Sequence, residues 1–139
     1  MIRDLFNPKF VFEAQVVNDD ATRPLDRRKF VGYVERAIVA WNLENGIDAK
    51  SVPVIRDANV EILEPCLGDT MRIDLWVEDL DATSCVYGFT CSSEDGLVPY
   101  ARGEETITKI DPQSHRPCAW SSAFRHTHEM LMKDLPAFA

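Results

Sequence analysis

A chain of 139 residues, 45% of them apolar, suits one globular domain that buries about two-thirds of its unfolded surface, and it is too apolar for disorder. The net charge of −8 weighs against a nucleic-acid partner, because phosphate binding needs a basic surface. No run approaches the ~20 apolar residues of a membrane span. Asp4 and Pro8 stand where a signal peptide would carry its apolar core, so a cytoplasmic location is expected.

Residues 8–17 alternate, with Phe10, Phe12, Ala14 and Val16 on one face, and predict a first strand. The polar run Asn18 to Pro24 leads into the longest apolar helical pattern of the chain, residues 26–45. There Phe30, Val34, Ala37, Ile38 and Trp41 recur at the three-and-four spacing of one buried face. Asp26 is placed to cap this helix, Leu25 and Phe30 to form a hydrophobic staple, and Gly46 to end it in the left-handed region. Arg27, Arg28 and Lys29 fill the first turn, where the macrodipole favours anions. Two sources of compensation are open: Asp19, Asp20 and Asp26 of the chain itself, or an anionic ligand. With Arg23, these residues put four of the fifteen cations into seven positions, a local field able to attract a small anion.

Residues 52–63 predict a less regular strand whose inner face, Val52, Val54, Ala58, Val60 and Ile62, is interrupted by Arg56. Residues 70–78 give the clearest alternation, with Met71, Ile73, Leu75 and Val77 facing in. Residues 83–92 alternate through Cys85, Tyr87, Phe89 and Cys91. Glu94-Asp95-Gly96 signals a hairpin into a last strand, 97–110, in which Gly103 marks a bulge or a close backbone approach. In the tail, residues 119–139, Ser121 or Ser122 caps a helix expected to reach about Asp134, packed through Phe124, Met130, Leu131 and Leu135 and stopped by Pro136. The four cysteines, Cys66, Cys85, Cys91 and Cys118, lack metal spacing and read as reduced thiols. His126 and His128, two apart, fall on different sides of a helix, and no metal or organic cofactor is expected.

One strand, one long helix and four consecutive strands make an α+β domain, a curved antiparallel sheet with the helix on its concave side. The uncovered edges of five strands call for a second copy of the chain.

This order resembles the hot-dog fold, about five strands wrapped around one long central helix, and the local motifs resemble its 4-hydroxybenzoyl-CoA thioesterase branch. The family pattern Asp-x-Asp-x-x-Gly, then Tyr-x-x-Tyr-Leu-Glu-x-Ala, corresponds to Asn18-Asp19-Asp20-Ala21-Thr22-Arg23, then Phe30 to Ala37. Gly68-Asp69, Asp95-Gly96, Ala101-Arg102-Gly103 and Asp111 to Pro117 follow in the family order. The resemblance spans residues 10–117 and implies a single domain over residues 1–139 that hydrolyses an acyl thioester of coenzyme A or an acyl carrier protein, as a homodimer or homotetramer.

Carried over position by position, the family's aspartate falls on Asp20, the general base or nucleophile, and the amides of Arg27 and Arg28 form the oxyanion hole. Asn18, Arg23, Arg28, Tyr33 and Glu35 fall on substrate-binding or helix positions. The chain departs from the pattern at Asn18, Arg23 and Pro24, and these departures motivate an alternative, a hot-dog protein that binds acyl-CoA without turnover.

Overall fold

The structure, a computed structural model, describes residues 8–17, 22–48 and 52–132. Five strands and two helices run in the order β1 (Phe10–Val16), α1 (Arg27–Glu44), β2 (Val54–Ile62), β3 (Asp69–Leu80), β4 (Ser84–Ser93), β5 (Pro99–Lys109) and α2 (Ser122–Glu129). The strands form one sheet in the order β1-β3-β4-β5-β2, antiparallel at every step. This is the α+β arrangement that the alternation and its order predict.

The inner face of the sheet carries the core. Met71, Ile73, Leu75 and Val77 of β3 and Cys85, Tyr87, Phe89 and Cys91 of β4 are buried, as their period of two requires. Each such apolar side chain contributes roughly 1.5–3 kcal/mol relative to exposure. Against this face α1 sets Phe30, Val34, Ala37 and Ile38, and it touches β1, β2 and β3.

Both ends of α1 follow from sequence chemistry. The Asp26 carboxylate accepts the Lys29 amide at 2.9 Å, and Leu25 and Phe30 are both buried. At the other end Ile47 N–H bonds the Asn42 carbonyl and Gly46 N–H that of Leu43, with Gly46 at φ 76, a Schellman closure.

Two expectations need correction, and one open alternative is decided. In β2 only Val60 is fully buried, while Ala58 and Ile62 are exposed, because β2 is an edge strand bonded on one side to β5. Gly103 marks no bulge: its register with Val60 and Phe89 is continuous, and a Cβ there would run into the Asn59 carbonyl. The register shifts fall instead at Val77/Asp79 and Cys91/Ser92. Finally, α2 stops at Glu129, well short of Asp134. The Leu131 carbonyl accepts the Val77 amide at 2.9 Å, so the chain leaves the helix to satisfy the irregular stretch of β3. Of the expected packing residues Phe124 and Leu131 are buried, Met130 is exposed, and Leu135, like Asp134 and Pro136, lies outside the described residues.

Among the described residues no helix is long and apolar enough to cross a membrane, and no group of three or more His, Cys, Asp and Glu could hold a metal ion.

Candidate functional site

Two places hold the chemistry-bearing residues. The first is the N-terminus of α1. Leu25 N–H bonds the Cys66 carbonyl at 2.8 Å and fixes where the helix begins. The first-turn amides of any helix lack intrahelical partners, and the dipole adds a partial positive charge there. Asp26 takes the Lys29 amide and sets a carboxylate at the positive end of the dipole, a contribution from the chain itself. The side chains of Arg27 and Arg28 differ in use. The Arg27 guanidinium donates to the Val60 carbonyl of β2 at 3.1 Å, and Arg27, Arg28 and Arg23 in the approach to the helix are all exposed.

Tyr33, one turn further on, reaches back to the end of β1. Its hydroxyl accepts the Val17 amide at 2.8 Å, and the Arg36 guanidinium lies 5.5 Å from its ring centre. Beside it Asp69 opens β3 with φ 132, a conformation that non-glycine residues rarely adopt, opposite Val16. Asn18 and Asp20, and Asp19 between them, lie outside the described residues.

The second place is a cavity of about 30 Å³ beneath the later turns of α1, walled by β2, β5 and the start of α2. Glu35 belongs here and not to the helix start. Its carboxylate meets the Arg56 guanidinium at 3.1 Å, which explains why a cation interrupts the inner face of β2. Behind this pair lies Glu105, only 2% exposed, with Oε1 unpartnered among the described residues. Its pKa is raised to about 7, by burial first and by the neighbouring Glu35 second, with Arg56 opposing both. Asn42, fully buried, donates to the Ile38 carbonyl at 2.8 Å but leaves its Oδ1 without a partner, as Trp120 leaves its indole N–H.

Next to this cavity the rings of Trp120, Phe124 and His128 stack at 3.9 and 3.7 Å between centres. His128 is fully buried. Its Nδ1 lies 2.8 Å from the Phe124 carbonyl, which can only accept, so Nδ1 carries the proton and Nε2 accepts from the Tyr87 hydroxyl at 2.6 Å. Burial pushes the His128 pKa down to about 4 and keeps the ring neutral.

Arg27, Arg28 and Tyr33 lie on the first turns of α1 and Arg23 on the approach to it, while sequence reasoning missed Glu105 and Asn42. A signal for each was present. Glu105 sits at an inward position of β5 between Ala101 and Ile107, and Asn42 falls four residues after Ile38 on the buried face of α1.

No family model matches the chain, and no curated protein matches it in sequence. Solved structures match it in fold. A 1,4-dihydroxy-2-naphthoyl-CoA thioesterase from Synechocystis is 15% identical at a TM-score of 0.76, over 86% of this chain and 94% of that one. A Staphylococcus aureus protein crystallised in complex with CoA is 16% identical at a TM-score of 0.72, over 87% and 82%. The dynemicin thioesterase is 11% identical at a TM-score of 0.74, over 89% and 97%. The five-stranded antiparallel sheet with its two helices is therefore the fold of these proteins, and in fold the chain resembles the hot-dog thioesterases.

Proposed function

We propose that the chain is a thioester hydrolase acting on an acyl thioester of coenzyme A or of an acyl carrier protein. The likeness in fold to two named thioesterases and to a protein solved with CoA carries this reading. The domain is taken as residues 1–139, its sheet curved about α1 as the central helix, with residues 119–139 as a tail. Its open edge strands β1 and β2 favour assembly of two or four copies.

Asp20, three positions after Val17, acts as general base or nucleophile. Water adds to the acyl carbon, directly or after attack by the carboxylate, the C–S bond breaks, and the thiol leaves with a proton. The amides of Arg27 and Arg28 hold the oxyanion at the positive end of the helix dipole. Arg23 and the side chain of Arg28, both exposed, serve the phosphates of the carrier. Tyr33 is a positioning residue, since its hydroxyl holds the Val17 amide directly before Asn18 and Asp20. Asn18 orients the water or the substrate, and Glu35 contacts the acyl group through the cavity described above.

Thiol release from a panel of acyl-CoA esters tests this. Turnover is expected for the natural protein and a fall of about 10²–10⁴-fold for Asp20→Ala with its fold intact. Full turnover by the variant would move the chemistry elsewhere. One observation favours a second reading, acyl-CoA binding without hydrolysis: the Asp26 carboxylate already occupies the helix start and disfavours another anion there. Ester binding without thiol release would establish that alternative.

A further inference from the structure

The cavity beneath α1 holds three buried polar atoms that lack partners among the described residues: Asn42 Oδ1, Glu105 Oε1 and Trp120 Nε1. Native interiors rarely leave even one such group unmet, and here three line one space. The other walls are apolar, formed by Ile38, Val52, Val54, Ile107 and Phe124. Two of the three atoms accept a hydrogen bond and one donates. A volume of about 30 Å³ gives room for about two water-sized groups.

We propose that this cavity is a binding site for a terminal hydroxyl group and takes the end of an acyl chain that finishes in hydroxymethyl. The acyl-chain half of this rests on the thioester-hydrolase reading; the recognition of a hydroxyl does not. A hydroxyl both donates and accepts, so it answers an acceptor, Asn42 or Glu105, and the Trp120 N–H at once. A carboxylate has no proton to offer Asn42 Oδ1 and would face Glu35, whose Arg56 partner is already engaged at 3.1 Å. An ammonium would leave the indole N–H without an acceptor. Burial also drives Glu105 toward its neutral form, which weakens its hold on a cation.

The surroundings supply a route. Glu35, Val39 and Arg56 line both the cavity and an open groove of about 440 Å³ over the outer side of α1, which Phe12, Ala40 and Leu43 also line. The cavity and the groove thus share a wall, with the half-exposed Glu35–Arg56 pair between the two. Eight residues of helix separate Arg27 from Glu35, roughly 12 Å at the rise of an α-helix, a span that an extended acyl chain of medium length covers.

Methanol, the smallest hydroxymethyl mimic, tests the site without any carrier. In ¹⁵N-labelled protein the chain's three tryptophans give three indole signals, and Trp120→Phe assigns that of Trp120. The Trp120 signal is expected to shift saturably with methanol, while that of Trp76, which donates to Glu78, stays in place. Asn42→Leu, its fold verified by unchanged Trp41 and Trp76 signals, is expected to weaken methanol binding at least fivefold. A Trp120 signal that does not respond, or three signals that drift together, would mean that the cavity holds water only and would overturn the site. Calorimetry with two non-hydrolysable CoA thioethers, decyl and 10-hydroxydecyl, tests the acyl chain. About tenfold tighter binding of the hydroxylated one is expected, with the preference lost in Asn42→Leu. Equal affinities would overturn the acyl-chain assignment. If neither thioether binds while methanol still shifts Trp120, the CoA reading fails and the hydroxyl site stands.

Discussion

Two buried titratable side chains pull the pH dependence of stability in opposite directions. The Glu105 pKa is raised to about 7, so the folded state holds a proton that the unfolded chain releases in the ordinary carboxylate range. Stability from this group is therefore lost as pH rises from that range to about 7. The His128 pKa is lowered to about 4, so the unfolded chain takes up a proton that the fold refuses. Stability from this group is lost as pH falls from the ordinary histidine range toward 4. The two windows overlap and the slopes oppose each other there, so denaturant midpoints measured from pH 4 to 8 separate them only when one group is removed. Glu105→Gln leaves a profile that rises more steeply with pH than the natural one, and an unchanged profile would show that Glu105 ionises as in water. Tyr87→Phe removes the hydrogen bond to His128 Nε2 and is expected to cost about 1–3 kcal/mol, read as a drop in the same midpoint. The sequence showed these groups only as anomalies, a glutamate among inward positions of β5 and an arginine interrupting β2. It could not show that the two answer each other through Glu35, because that meeting joins α1, β2 and β5.

At the level of elements, local chemistry was legible wherever the element ends on its own residues. Asp26, Gly46 and Ser121 cap as their types predict, Ser121 accepting the Phe124 amide at 3.1 Å. Asp26→Ala is expected to cost about 1 kcal/mol by thermal or chemical denaturation, since the Lys29 amide loses its cap and the positive end of the dipole loses a carboxylate. The end of α2 was not legible, because the bond from Val77 to the Leu131 carbonyl is made by a distant strand. The exposure of β2 was hidden for a similar reason, as alternation says which residues share a face and not whether the strand lies at an edge. Gly103 was read as one of two things, and the structure selects the close approach. Gly103→Ala must push Asn59 of β2 away and is expected to destabilise by about 1–3 kcal/mol, measured by the same denaturation.

For the whole molecule, the motif order pointed to a fold that no family model recognises but that solved structures share. Strand order was not legible, because periodicity carries no information on which strands are neighbours. Both outermost strands, β1 and β2, expose one edge of backbone groups, and sedimentation is expected to find a dimer or tetramer; a monomer at micromolar concentration would contradict this. The same strand order sets a sequence in time. β3, β4 and β5 are joined by short turns and pair as consecutive hairpins, whereas β1 and β2 reach their partners only across long intervening stretches of chain. Closing those long loops carries an entropic cost that the hairpins avoid. The central meander is thus positioned to form early, and the outer strands dock late. Arg56, Val54 and Val52 belong to or precede β2, so the cavity exists only after that last strand has docked. A chain stalled before this step would hold most of its core and none of its pocket.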